Sequence, residues 1–107
     1  MIWNVHPEAQ TELEEATEYY AALGSLQVAQ FDAARRRVLD LLETWPELGS
    51  PYLEIDNDPP IRRHSLGKFP YSVYYVENGA ELVILAYAHH SRKPEYWRER
   101  MAYIAES

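Results

Sequence analysis

The sequence predicts an α+β fold in which an N-terminal strand and a long helical hairpin pack on a small, mainly antiparallel sheet, with a short C-terminal helix. Three observations predict it. Apolar residues recur at helical spacing from Ala9 to Trp45. From Ile61 the period drops to two, the alternation of half-buried strands. A proline-bearing loop from Glu47 to Pro60 separates the two regimes. A sheet cannot bury an apolar face alone, so the hairpin must lie across it. The 107 residues supply one core, hence a single domain over residues 1–107.

Each element has its own signal. Ile2 to Val5 reads as the first strand, with Trp3 and Val5 on one face. Pro7 suits a first helical turn, where its missing N–H costs nothing. Ala9, Leu13, Ala16, Tyr20 and Leu23 form the stripe of the first helix, and Glu8, Glu12, Glu14, Glu15 and Glu18 fall largely off it. Gly24 ends that helix and Ser25 is placed to cap the next. Phe31, Ala34, Val38, Leu41, Leu42 and Trp45 trace the second stripe until Pro46 stops it. Arg35, Arg36 and Arg37 are consecutive, so they splay over roughly 200° of helix surface and form no tight cluster. Ile61 to Leu66 makes a strand, Gly67 to Pro70 a turn and Tyr71 to Glu77 a second strand. Tyr71, Val73 and Tyr75 share one face of it, Tyr74 and Val76 the other. Asn78-Gly79 is a hairpin signal. Leu82 to Ala88 is a continuous apolar run, as in a strand covered on both faces. Pro94 then opens a terminal helix over Glu95 to Ala105, with Tyr96 and Trp97 stapling it to the sheet.

Composition narrows the function. Apolar residues are 47% and charged residues 25% of the chain, the balance of a globular domain. The absence of any eighteen-residue apolar run argues against a membrane partner, and the first residues lack the features of a secretion signal. With no cysteine there is no disulfide framework or thiolate nucleophile, and a reducing cytoplasmic setting is expected. The net charge of −7 is uneven: residues 1–60 carry twelve acids and three arginines, whereas residues 61–107 carry seven Lys/Arg and five acids. That balance does not suit a generic nucleic-acid binder. The sequence has no glycine-rich phosphate loop, His-Glu-x-x-His motif or nucleophile elbow, and its histidines are poorly spaced for a metal. Neither a metal nor a cofactor is expected.

The remaining chemistry is a polar cluster in the second half: Arg62, Arg63, His64, Lys68, Tyr71, His89, His90, Arg92, Lys93 and Tyr96. These fall on neighbouring strand ends and the start of the last helix, so a small sheet gathers several on one rim. Arginine forks hold phosphates, histidine titrates near neutrality, and tyrosine orients or exchanges a proton. Such a kit suffices for metal-free phosphodiester cleavage in which the RNA 2′-hydroxyl attacks. It suffices equally for a protein-binding rim. His89 and His90, being adjacent, point to opposite sides of a strand.

Four segments in order carry a family resemblance: Leu42-Glu43-Thr44-Trp45-Pro46-Glu47-Leu48-Gly49, Ile61-Arg62-Arg63-His64, Phe69-Pro70-Tyr71-Ser72-Val73-Tyr74-Tyr75, and Ala88-His89-His90-Ser91-Arg92-Lys93-Pro94-Glu95-Tyr96-Trp97. Together with the order of elements, they resemble the RelE/ParE superfamily of bacterial toxins. The resemblance implies the toxin half of a type II toxin–antitoxin, or plasmid-stabilisation, module. Its partner would be a cognate antitoxin in a heteromeric complex. RelE-like members cut messenger RNA on the ribosome, ParE-like members poison DNA gyrase, and a degenerate member would only bind its antitoxin. His90, Arg92 and Tyr96 match basic and tyrosine positions of the nuclease branch, where they would be catalytic. Arg62, Arg63, Lys68, His89 and Lys93 would then bind phosphate or target. The nuclease pattern has an arginine after the tyrosine that opens the second hairpin strand, where this chain has Ser72, and Tyr52 to Pro60 holds three acids and no base. The long helical hairpin and the Trp45-Pro46-Glu47-Leu48-Gly49 helix exit resemble the ParE-like branch, which the sequence favours.

Overall fold

The computed structural model describes residues 2–106. β1 (Ile2–Val5) leads into α1 (Pro7–Leu23) and α2 (Ser25–Thr44), a 3-10 turn over Pro46–Leu48, and β2 (Ser50–Pro51). β3 (Arg62–Ser65), β4 (Tyr71–Asn78) and β5 (Glu81–His89) follow, then a 3-10 turn over Arg98–Met101 and α3 (Ala102–Glu106). The sheet order is β1-β5-β4-β3-β2, with β1 parallel to β5 and the other neighbours antiparallel. Among the described residues, no helix is long and apolar enough to cross a membrane. The expected α+β architecture is therefore the one observed.

Both faces of the sheet are covered. The helical hairpin lays Ala9, Ala16, Tyr20, Phe31, Val38 and Leu42 against Val73, Tyr75, Leu82, Ile84 and Tyr87 on the first face. Tyr20 stacks on Phe31 with centroids 4.8 Å apart, and Phe69 closes the group edge-on. The second face is covered by the 52–61 segment, through Tyr52, Ile55 and Ile61, and by Trp97 from the C-terminal segment. A loop in the sequence thus serves as half of a second core, which is why β5 reads as an unbroken apolar run. Tyr75 pins the helix exit: its hydroxyl donates to the Pro46 carbonyl at 2.6 Å and accepts from the Gly49 N–H at 2.9 Å. A Cβ on Gly49 would meet that hydroxyl at 2.6 Å, so the approach requires glycine.

A bulge interrupts the β4–β5 ladder. Tyr74 pairs with Ala86 and Tyr75 with Ile84, leaving Leu85 unmatched, and Leu85 and Ala86 both face the second core.

Several details differ from the sequence reading. Ser25 is not a cap: it is the first residue of α2, and Gly24 (φ 149°) turns the corner without any side-chain cap bond. The cap of α1 is His6, whose Nδ1 accepts from the Glu8 N–H at 3.0 Å. Leu23, Leu41 and Trp45 lie on the predicted stripes but are exposed, because the stripes drift round the helices beyond the width of the sheet. The terminal helix is broken. Glu95 sits at φ 61°, held by the Tyr52 hydroxyl (3.2 Å) and Arg98 (2.9 Å), while Trp97 is drawn into the core. The left-handed backbone at Glu95 costs on the order of 1 kcal/mol and prevents an α-helix from starting at Pro94.

The histidine cap makes stability pH-dependent. Burial and the Arg100 charge disfavour the imidazolium of His6 more than Glu8 and Glu12 favour it, so its pKa is lowered from 6.5. Below 6.5 the unfolded chain takes up a proton that the folded chain refuses. The contribution is complete above that pH and is lost as pH falls through the folded value. Denaturant unfolding between about pH 7 and about pH 5 should show this decline. His6→Asn, which caps without titrating, should remove the His6 part of the slope.

Candidate functional site

The site begins with small residues. Ser65, Ser72 and Ala88 are cross-strand partners in one row over β3, β4 and β5, and their short side chains leave a hollow on the second face of the sheet. The result is a groove of about 370 Å³ walled by Tyr52, Arg63, Tyr74, His90, Lys93 and Tyr96, with Ser72 at its floor.

Ser72 Oγ and His90 Nε2 are 3.0 Å apart across the floor. Arg63 projects from β3, 5.7 Å from the centre of the Tyr52 ring, and its hydrogen bond to Tyr74 helps raise its pKa above the usual arginine value. The Arg92 guanidinium lies 3.8 Å over the Tyr96 ring, stacked and exposed at the mouth. Lys93 is exposed at the rim.

Of the other predicted residues, His89 also borders the groove, and Arg62, Lys68 and His64 go elsewhere. Arg62 turns to the opposite face, where its Nη1 donates to the carbonyls of Glu47 (3.2 Å) and Gly49 (2.9 Å), a use within the fold. Lys68 stands in the β3–β4 turn beside Phe69 and does not line the groove. His64 Nδ1 lies 2.7 Å from the Ser65 carbonyl. His89 and His90 do point to opposite faces. His89 packs edge-on against Tyr71 at 5.0 Å, and its Nδ1 accepts from the Ser91 N–H at 3.0 Å, which leaves the proton of the neutral ring on Nε2.

Tyr96 is tied rather than poised. Its hydroxyl donates to Glu12 Oε2, and burial, that bond and the Glu12 charge push the phenol pKa far above its ordinary value. Glu12 and Arg100 are the pair the sequence reading missed. Arg100 Nη1 reaches Glu12 Oε1 at 2.8 Å and Nη2 reaches Oε2 at 3.2 Å, with the side chains 10% and 13% exposed. β1 pairs with β5 only as far as Ile84. Beyond it, the Leu85 carbonyl accepts from Arg100 at 3.0 Å and the Tyr87 N–H donates to Glu12 at 3.1 Å. The ion pair therefore satisfies the stretch of β5 edge that β1 does not reach. The signal for Glu12 was its spacing: it lies three residues after Ala9 and four before Ala16, on the buried side of α1.

The groove thus combines a cationic wall of Arg63, Arg92 and Lys93 with a Ser72–His90 contact, and its tyrosine is fixed as a hydrogen-bond donor. No curated protein matches the chain. The family model of the ParE toxin of type II toxin–antitoxin systems, parDE, matches residues 4–94, from β1 to the start of the C-terminal segment. The match agrees with the order of elements and with the branch that the sequence favoured, and the chain belongs to the ParE toxin family of type II toxin–antitoxin systems.

Proposed function

We propose that this toxin acts in the cytoplasm by inhibiting DNA gyrase, without catalysis of its own, and that a cognate antitoxin encoded beside it neutralises it. The observation that carries the choice of target is the state of Tyr96. A nuclease of the sister branch would use this phenol at the reacting phosphate, whereas here it is committed to Glu12 and holds its proton far above neutral pH. Ser72, at the position of the nuclease arginine, meets His90 instead of adding a cation. The exposed cations Arg63, Arg92 and Lys93 then serve as a recognition rim.

Purified toxin should inhibit gyrase supercoiling at concentrations comparable to the enzyme. Arg63→Glu with Lys93→Glu should weaken that inhibition about tenfold or more while leaving the melting curve in place. The same rim favours a second reading, a ribosome-dependent RNA endonuclease using His90 and Arg92. Intact supercoiling at large toxin excess, together with new RNA 5′ ends inside codons during growth arrest, would establish that reading and remove the first. Full toxicity of a His90→Ala, Arg92→Ala double variant would remove the nuclease.

A further inference from the structure

The outward face of α2 is turned away from the sheet and carries an unusual combination of groups. Ala33, Arg37, Asp40 and Thr44 follow one another at helical spacing, and with Arg36 and Leu41 they ring a shallow depression. The apolar surface continues past it, with Leu41 40%, Trp45 64% and Leu48 48% exposed. Arg36 is engaged by Asp32 at 2.9 Å, but Arg37 and Asp40 form no ion pair among the described residues.

We propose that this face is a self-association surface whose occupant is a second copy of the chain, packed antiparallel about a two-fold axis between Arg37 and Asp40. The charges favour a copy over an unrelated partner. One cation and one anion, three residues apart, lie on either side of that axis. An antiparallel copy therefore sets Arg37 of each chain against Asp40 of the other, giving two ion pairs from one patch. The same register sets Ala33 opposite Thr44, small enough for helices to approach at about 8–10 Å. It also brings Leu41 over the aliphatic stem of the other copy's Arg36, covering apolar surface that is otherwise exposed. α2 packs on the first face of the sheet and the groove opens on the second, so the dimer keeps both grooves accessible and presents them outward.

Sedimentation of the full chain from about 1 to about 200 µM, the regime of a small interface, tests this. The mass should rise from 12.5 kDa toward twice that value. Arg37→Glu and Asp40→Arg should each raise the dimer dissociation constant by about tenfold or more, because each places like charges face to face. Mixing the two variants should restore dimer: the glutamate introduced in one chain then meets the arginine introduced in the other, and the unaltered Asp40 of the first meets the unaltered Arg37 of the second. Circular dichroism checks that the variants are folded, and Ala33→Arg, which fills the depression, is an independent second disruption. A constant mass of 12.5 kDa at every concentration overturns the proposal. So do single variants that dimerise as the parent does, or folded variants that stay monomeric when mixed.

Discussion

Glu12→Ala should lower unfolding stability by about 3 kcal/mol or more, because it strands a buried guanidinium. For a domain of this size that is a fall in Tm on the order of 15 °C. The loss has three parts. Arg100, 10% exposed, loses both bidentate bonds, the Tyr87 N–H loses its acceptor, and the Tyr96 hydroxyl loses its own. Glu8 does not compensate, since its 3.5 Å contact with Arg100 comes from a side chain that is 69% exposed. Replacing both partners, as in Glu12→Gln with Arg100→Met, should cost less than Glu12→Ala alone, because no uncompensated charge stays buried. Denaturant unfolding of the parent and both variants decides the matter. A Glu12→Ala midpoint equal to the parent's would mean that the pair adds nothing net.

Trp97→Ala should cost about 3–5 kcal/mol, the range for emptying a large buried aromatic site. Trp97 is 1% exposed and packs against Tyr74 at 4.8 Å and Tyr52 at 5.7 Å, so its removal opens the second core. Those two rings also wall the groove, and toxicity should fall together with stability. Both substitutions release the C-terminal segment, one through Arg100 and one through Trp97. The double variant should therefore lose clearly less than the sum of the singles. Full additivity in thermal and denaturant melts would show that the two anchors act independently.

What the sequence made legible follows from how far each signal reaches along the chain. Helical period, Gly24, Pro46 and Asn78-Gly79 are local, and they placed both long helices and all three hairpin strands. The opposed faces of Arg62 and Arg63, and of His89 and His90, followed from strand alternation. Long-range partners were not legible. Glu12 and Arg100 are 88 residues apart, and nothing near either one names the other. His6 is an uncommon cap, so the pattern pointed to Pro7 and missed it. The terminal helix failed because Trp97 gains more by entering the second core than Glu95 to Ala105 would gain from regular hydrogen bonds. Among the site residues, the two backbone carbonyls that accept from Arg62 lie 13 and 15 residues away, and its strand position alone did not point to them.

The unmatched Leu85 has a consequence for the rim some four residues downstream. If β5 ran straight, every side chain after Leu85 would be inverted across the sheet. Tyr87 would leave the hairpin side, Ala88 would turn beneath the helices, and His90 would point away from Ser72. One supernumerary residue keeps the two halves of the strand in step with β4, and thereby decides which histidine meets Ser72 across the groove floor. Parity along a single strand, as much as any residue's chemistry, writes the composition of this surface.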